Sequence, residues 1–389
     1  MPGSFSASLY SPALLDPEVQ PEPDPLSDTE VGPLWAVVLA GGIGSRFWPL
    51  ATPERPKPVL ALVDDRPLIA DSVGRLAPLI PPERVLIVTS ADIADALHAA
   101  VPGVPRPNLL VEPRPLGTAA AVAWGAHEVV RRGGPDAVCV TLHADLSIAL
   151  PEALRDDLRR AGALAAATDA LIALGTRPSR TETGFGYMHP GRPLTDQLGA
   201  LGEGLRAVDR FCEKPSPALA DTLIAEGACW YTGIVVAQAA VLGRELAMHA
   251  RELHHGIDAL RAGDLERFAE LVTSVSLERG LFERTDALRV LMTDCGWDDV
   301  GTWACLRRVR ELDDWGNGVS GHAYLVDSSG NIVHAENGTV VIYGISGMLV
   351  VSIDGLTFVT SLERARDLAP LLRSIPRDLR QHPGHRTDA

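Results

Sequence analysis

A glycine-rich segment at residues 37–50, VVLAGGIGSRFWPL, has the composition of a phosphate-binding loop. An apolar run precedes Gly41 and Gly42, and glycine lets backbone N–H groups approach phosphate oxygens closely. Arg46 and Lys57 follow, and both can place positive charge on a triphosphate. The pattern predicts phosphate binding, although the glycines alone fit a plain tight turn after a buried strand equally well.

The segment matches neither of two common phosphate loops. No Gly-Lys-Ser/Thr follows, as a P-loop requires, and Phe47 stands where a dinucleotide fingerprint has its third glycine. A proline inside a helix costs about 3 kcal/mol, so no long helix is expected here. We predict an extended arm with Arg46 and Lys57 at its ends, because four prolines follow closely: Pro49, Pro53, Pro56 and Pro58.

Lysine is rare in this chain. Of 35 basic residues, only Lys57 and Lys214 are lysine, and the others are arginine. A compact ammonium fits where the wide guanidinium fork does not, so both lysines are candidates for contacts with phosphate. The alternative is that two lysines remain by chance.

Strand-like and helix-like segments alternate from about residue 34 to 238. WAVVLA, RVLIVTS, NLLVE, AVCVTLHA and LIALGT have the pattern of strands, with helical spacing between them. This predicts an α/β, Rossmann-like fold, with a mixed and mostly parallel sheet covered by helices. A more helical stretch follows, up to TDALRVL. Beyond Trp315, short β runs predict a small β-helix-like domain, closed by a helix over SLERARDLAPLLRSI.

Composition excludes several classes of protein. The formal net charge of −15 disfavours nucleic acid as a partner, and no apolar run is long enough to span a membrane. No Lys or Arg precedes Arg46, so the basic residues of a signal or transit peptide are absent. The 5 cysteines form no CxxC pair, which is typical of buried thiols in a reducing cytoplasm.

A set of ordered motifs resembles those of nucleoside-diphosphate-sugar pyrophosphorylases, and most closely those of mannose-1-phosphate guanylyltransferases. The resemblance runs from about residue 35 to 375. It comprises LAGGIGSRFWPL, PERPKPVL, VEPRPLGTAAAVA, LHADLSI, GFGYM, RFCEKP, WYTGIVV, CGWDDVGTW and GNGVSGHAYLVDSSGN. It implies a nucleotidyltransferase catalytic domain at 34–314. A disordered tail at 1–33, a small β domain with its closing helix at 315–375 and a flexible tail at 376–389 would complete the chain.

The resemblance implies in-line attack of a sugar 1-phosphate on the α-phosphorus of GTP, without a covalent enzyme intermediate. The implied nucleotide-binding residues are Gly41, Gly42, Arg46, Lys57, Glu112 and Thr118, and the implied ligands of Mg²⁺ are Asp145 and Asp299. Mg²⁺ is commonly held by one or two carboxylates plus substrate phosphates. Taken singly, Asp145 also fits a turn at a strand end, and Asp299 also fits a helix N-cap.

The implied acceptor residues are Gly186, Tyr187, Glu213, Lys214 and Tyr231. Glu213 would accept hydrogen bonds from ring hydroxyls. Lys214 would meet the sugar phosphate and, with Arg46 and Lys57, form the catalytic set. The alternative for Glu213 and Lys214 is a surface ion pair before a proline turn.

The chain departs from the family where substrates are recognised. Tyr231 stands where mannose-type members have an asparagine, and Gly117-Thr118-Ala119-Ala120 replaces their usual base-side segment. The acceptor is therefore left open between mannose 1-phosphate and a cyclitol such as valienol 1-phosphate, which would fit antibiotic biosynthesis. A non-catalytic, nucleotide-sugar-binding regulatory homologue is the alternative function. A homodimer is a further expectation.

Overall fold

The computed structural model describes residues 32–381, so nearly all of the tail predicted at 1–33 and the end of that predicted at 376–389 lie outside the described residues. No described helix is long and apolar enough to cross a membrane. The strands are β1 Leu34–Leu39, β2 Val85–Ser90, β3 Leu109–Glu112, β4 Val138–His143, β5 Leu146–Ile148, β6 Leu171–Thr176, β7 Gly186–Pro193, β8 Leu205–Glu213, β9 Cys229–Gln238, β10 Leu288–Met292, β11 Trp297–Asp299, β12 Gly318–Val326, β13 Ile332–Tyr343, β14 Met348–Ile353 and β15 Leu356–Ser361.

Helices alternate with these strands through most of the described chain. The α-helices are α1 Leu68–Leu76, α2 Ala91–Ala100, α3 Thr118–Gly133, α4 Pro151–Ala167, α5 Thr195–Leu198, α6 Pro217–Ala225, α7 Ala239–His249, α8 Ile257–Arg261, α9 Leu265–Leu271, α10 Leu306–Val309, α11 Ala369–Ser374 and α12 Arg377–Gln381. Short 3₁₀ turns include Ser45–Phe47, Lys57–Val59 and Trp303–Cys305, and a π-helical turn spans Glu278–Phe282.

A nine-stranded sheet forms the centre of the molecule, in the order β3-β2-β1-β4-β9-β6-β10-β8-β7. All its strands run in one direction except β8 and β9. This confirms the mixed, mostly parallel sheet. Apolar side chains fill both faces, as in parallel sheets covered by helices: α3 and α7 pack on one face, and α1, α2 and α4 on the other.

The sequence analysis named five of the nine strands: β7, β8 and β9 were not identified, and β10 falls in a stretch predicted to be helical. The end of the stretch predicted as helical, Leu288–Met292, is β10, which pairs with β6 and β8. A short apolar run has no periodicity that separates a buried strand from a buried helix. Strand β10 helps to position the site, because the chain continues from β10 into β11, the strand that carries Asp299.

The C-terminal residues form a separate four-stranded sheet, in which β12, β13 and β14 are parallel and β15 is antiparallel. Successive turns are joined by an asparagine ladder. Asn331 N–H donates to Asn317 Oδ1 at 2.9 Å, and Met348 N–H donates to Asn331 Oδ1 at 2.9 Å. This arrangement agrees with the predicted β-helix-like domain.

The predicted closing helix is wrong in detail. Instead of one helix, the chain forms a 3₁₀ turn at Arg364–Arg366 and then α11, which begins at Ala369 with a proline in its first turn. Proline favours the start of a helix and cannot continue one, so Pro370 separates the two pieces. Helix α12 then occupies the start of the predicted flexible tail.

The small domain packs against the segment that follows the glycine loop. A shared apolar cluster joins Phe47, Leu60 and Trp303 to Ile332 and Leu349 of the small sheet. Trp303 Nε1–H donates to the Trp48 carbonyl at 3.0 Å. The small domain therefore supports the loop predicted to bind phosphate.

Candidate active site

The glycine loop begins where β1 ends and folds back on itself. Gly44 has φ of 80°, in the left-handed region that glycine adopts most readily, and Ser45–Phe47 form a 3₁₀ turn. Lys57 N–H donates to the Ile43 carbonyl at 2.8 Å, which brings the second basic residue back to the loop. The prolines prevent a long helix, as predicted, but the arm contains turns and is not extended throughout.

Lys57 is a buried cation. Its side chain pairs with Asp145, its Nζ lies 5.3 Å from the centre of the Phe47 ring, and only 6% of the residue is exposed. A Cβ at Gly44 would collide with the Lys57 stem, so the glycine is needed to let the lysine pass. The loop and the lysine are thus packed as one unit.

A cleft of about 500 Å³ opens at the carboxyl ends of β1, β2 and β4. Ligands of open α/β sheets bind at this edge. Every residue predicted for the nucleotide lines the cleft, together with the first predicted metal ligand: Gly41, Gly42, Arg46, Lys57, Glu112, Thr118 and Asp145. The cleft also includes His143, which is not among the predicted site residues.

The two predicted metal ligands lie at neighbouring positions of a small ladder. Strands β5 and β11 pair antiparallel, with Asp299 opposite Leu146, directly after Asp145. Burial alone would raise the pKa of Asp145, but the charges of Lys57 and His143 hold that pKa below its usual value. Burial and the charge of Asp145 raise the pKa of Asp299, against the opposing charges of Lys57 and Arg46.

This donor set fits Mg²⁺. Two like-charged carboxylates in a partly buried position are unfavourable unless a cation lies between them. Within residues 32–381, no group of three or more His, Cys, Asp and Glu side chains could hold a metal by itself. Mg²⁺ takes oxygen ligands and is commonly held by one or two carboxylates together with substrate phosphates and water.

The neighbouring Asp298 has a different environment. Arg308 donates two hydrogen bonds to Asp298, at 2.6 and 3.0 Å, and Arg180 donates a third at 3.3 Å. The Asp299 carboxylate has no such partner among the described residues, and the cap of the following 3₁₀ turn is Thr302, so the N-cap interpretation of Asp299 is wrong. Asp298 is held by ion pairs, and Asp299 is left for a ligand.

Glu112 and Thr118 form the far wall of the cleft. Burial raises the pKa of Glu112, and its Oε1 accepts a hydrogen bond from Leu116 N at 3.3 Å. Thr118 begins α3, and its hydroxyl accepts a hydrogen bond from Leu277 N at 2.8 Å. That hydroxyl keeps its own proton to donate to a ligand.

The predicted acceptor residues lie outside this cleft. Lys214 adopts φ of 52°, which is uncommon for a residue with a side chain, and its Nζ donates to Glu213 Oε1 at 2.7 Å. The Glu213 side chain is almost buried, whereas that of Lys214 is exposed. The exposed Lys214 side chain is therefore accessible to an anion. This exposure is compatible both with a contact to the acceptor phosphate and with a surface ion pair.

Gly186 and Tyr187 support Glu213 from the adjacent strand. A Cβ at Gly186 would lie 2.5 Å from the Phe211 ring and 3.1 Å from Glu213 Oε2. The Tyr187 side chain has no exposed surface, and its hydroxyl donates to the Glu182 carbonyl at 2.8 Å. Tyr187 can therefore affect a sugar only through its backbone or the loop that it holds.

Tyr231 is packed among aromatic side chains. Its ring centre lies 5.3 Å from that of Phe282 and 5.8 Å from that of Phe211, and only 6% of the residue is exposed. Its ring faces are therefore not an open apolar surface against which a carbocyclic ring could lie. The π-helical turn that supplies Phe282 was not singled out, because no motif or spacing in that stretch indicates a site.

The edge of this sheet combines a glycine loop, a buried lysine and two neighbouring carboxylates. Together these features define an α/β nucleotide-binding protein. Residues 35–314 match the family described as Nucleotidyl transferase, and the chain belongs to that family of enzymes. Its members are nucleotidyltransferases, so the resemblance inferred from the motifs is confirmed.

Individual relatives agree with this assignment. The chain is 28% identical over 365 residues to a mannose-1-phosphate guanylyltransferase of Sinorhizobium fredii, covering 90% of this chain and 70% of the relative. It is 29% identical over 358 residues to the alginate biosynthesis protein AlgA of Pseudomonas aeruginosa, covering 87% and 71%. A crystal structure from Thermus thermophilus, described as a mannose-1-phosphate geranyltransferase, superposes with a TM-score of 0.79 at 32% identity, covering 88% of this chain and 98% of that one.

Proposed function

We propose that this enzyme transfers GMP from GTP to mannose 1-phosphate, giving GDP-mannose and pyrophosphate. The observation that carries the proposal is the cleft in which Gly41, Gly42 and Arg46 surround the buried Lys57 and the partly buried Asp145 that pairs with it. A relative of this chain is named for mannose 1-phosphate and guanylyl transfer. A purely regulatory homologue could lose a phosphate or metal residue without penalty, whereas this chain retains Arg46, Lys57, Asp145, Lys214 and Asp299.

The proposed chemistry is a single displacement. An oxygen of the acceptor phosphate forms a bond to the α-phosphorus, and the bond from that phosphorus to the bridging oxygen of pyrophosphate breaks. Pyrophosphate leaves with the electron pair. Because no side chain forms a covalent bond, catalysis depends on positioning and charge neutralisation.

Each part of the cleft has a role in this proposal. The backbone at Gly41 and Gly42 approaches the phosphates, while Arg46 and Lys57 neutralise their charge. Glu112 and Thr118 face the base. Lys214 attracts the acceptor phosphate from the other side, where its ammonium is exposed.

Asp145 and Asp299 are the residues that would hold Mg²⁺, because the ladder of β5 and β11 brings their partly buried carboxylates close together. When bound, the ion would supply positive charge to the phosphates of the nucleotide. Lys57 orients Asp145 through their ion pair. Arg308 and Arg180 hold Asp298, which fixes the strand that carries Asp299.

The acceptor is the least constrained part of the proposal. The sequence left valienol 1-phosphate open because Tyr231 replaces the asparagine of mannose-type members, and the Tyr231 ring packs against Phe211 and Phe282. We therefore place mannose 1-phosphate first and valienol 1-phosphate second. A cytoplasmic location and a homodimer stay predictions.

The test is a pyrophosphate-release screen of the purified protein with Mg²⁺. GTP, ATP, UTP and CTP are each combined with mannose 1-phosphate, glucose 1-phosphate and valienol 1-phosphate. We expect the highest kcat/KM for GTP with mannose 1-phosphate, and no release without an acceptor. Preference for another triphosphate would contradict guanylyl transfer, and preference for valienol 1-phosphate would restore the cyclitol hypothesis.

A further inference from the structure

The segment around the π-helical turn contacts the nucleotide side of the proposed active site. Leu277 N–H donates to Thr118 Oγ1 at 2.8 Å, and Ala119 N–H donates to the Val275 carbonyl at 3.2 Å. Gly117 is part of the same contact, since a Cβ there would lie 2.6 Å from the Val275 oxygen. The start of the segment is therefore fixed against the wall of the nucleotide cleft.

The end of the segment contacts the acceptor side. Glu283 Oε1 accepts a hydrogen bond from Glu213 N at 3.1 Å. Phe282 packs edge-on against the Tyr231 ring, at 84° between ring planes. The π-helical turn Glu278–Phe282 lies between these two anchors, and such turns occur frequently at functional sites.

Glu278, the first residue of this turn, has a carboxylate without a partner. The residue is half-buried, and its side chain makes no hydrogen bond or ion pair with any residue in the range 32–381. Burial and the charge of Glu278 raise the pKa of Glu213. Burial and the charges of Glu278 and Glu213 raise the pKa of Tyr231. Glu278 belongs to the turn whose Phe282 and Glu283 contact Tyr231 and Glu213, and its charge is close enough to act on both of these residues.

A half-buried carboxylate beside a second carboxylate is costly unless a ligand donates hydrogen bonds to it. An ionised carboxylate can only accept hydrogen bonds, and it repels phosphate. Hydroxyl groups are suitable donors. The arrangement separates two tasks: Lys214 attracts the acceptor phosphate, and the carboxylates contact the ring.

We propose that Glu278 is a specificity-determining residue, which accepts hydrogen bonds from hydroxyls of the acceptor ring beside Glu213. This inference rests on the proposed function and adds a residue to it. Glu278 would share with Glu213 the recognition of ring hydroxyls, whereas the Tyr231 ring is enclosed by Phe211 and Phe282.

The test compares wild type with Glu278→Gln, which keeps the shape of the side chain and removes its charge. Glu266→Gln is the matched control, because Glu266 is an exposed glutamate on α9 and is not one of the proposed acceptor residues. Steady-state kcat/KM is measured with mannose 1-phosphate and its monodeoxy analogues, together with KM for GTP and the unfolding temperature. Losing a hydrogen bond to a charged group should lower kcat/KM about 10- to 100-fold for the full acceptor.

The pattern across acceptors decides the outcome. If Glu278 reads a hydroxyl, the difference between wild type and Glu278→Gln should disappear for the analogue that lacks that hydroxyl, while KM for GTP and the control stay unchanged. Equal activity of the variant on every acceptor would overturn the inference alone, as would an equal loss on all acceptors with a raised KM for GTP. A wild type inactive with every acceptor would overturn the proposed function and this inference together.

Discussion

Replacing Lys57 by arginine keeps the charge but changes its shape, and we expect it to abolish most activity. The ammonium lies between Asp145 and the Phe47 ring, 5.3 Å from the ring centre, and its stem fills the space left by Gly44. A guanidinium is wider and planar, and the residue is only 6% exposed. The added atoms must displace the loop or Asp145.

The size of the effect follows from this packing. Overfilling a packed site costs roughly 1–3 kcal/mol, so the unfolding temperature should fall by several degrees. Displacing a preorganised charge from the phosphates should lower kcat by about a hundredfold or more. Lys214→Arg should mainly raise KM for the acceptor, because the Lys214 side chain is exposed and has no packing to disturb.

The assay is steady-state pyrophosphate release with GTP and mannose 1-phosphate, alongside thermal unfolding. Arg261→Lys is the control, since Arg261 lies at the end of α8, is exposed and is not among the proposed site residues. We expect the control to match wild type. Near-wild-type kinetics of both lysine variants would refute the reasoning and would mean that the scarcity of lysine carries no information.

Three further predictions concern other parts of the molecule. Asp145→Asn and Asp299→Asn should each lower kcat at least about a hundredfold at saturating Mg²⁺ with little change in stability, and normal turnover would show that the residue is not a ligand. A hydrogen bond with His334, together with the Arg55 ion pair, lowers the pKa of Glu336 to about 2 despite burial. Glu336→Gln should therefore lower the free energy of unfolding by about 1 kcal/mol at neutral pH, and this difference should shrink as the pH falls from about 4.5 towards 2. Chemical unfolding measures it, and a loss of stability that does not change with pH would contradict the prediction. Light scattering should give the mass of a dimer, which Tyr343→Asp should weaken because Tyr343 is a large apolar side chain, 72% exposed at the end of β13; a monomeric wild type would contradict this.

Much of the fold could be predicted because its strands are short apolar runs separated by amphipathic helices. Strand β10 could not, since Leu288–Met292 becomes a strand only by pairing between β6 and β8. The closing helix was overextended because its helical periodicity continues across Pro370.

The nucleotide half of the site was more predictable than the acceptor half. Its residues follow strand ends directly, and the edge of a parallel sheet brings such positions together, as it does for Gly41 and Asp145. The environment of Tyr231 depends on Phe282, which lies in a distant π-helical turn. No local pattern in the sequence reports a contact of that kind.

The central claim is in-line attack by the acceptor phosphate on the α-phosphorus of GTP, and isotope transfer tests it most directly. Mannose 1-phosphate carrying oxygen-18 in its phosphate is incubated with GTP, Mg²⁺ and the enzyme, and the masses of the products are measured by mass spectrometry. The account predicts GDP-mannose that retains all of the label, and unlabelled pyrophosphate. Label in pyrophosphate, or release of pyrophosphate without a GDP-sugar, would contradict it.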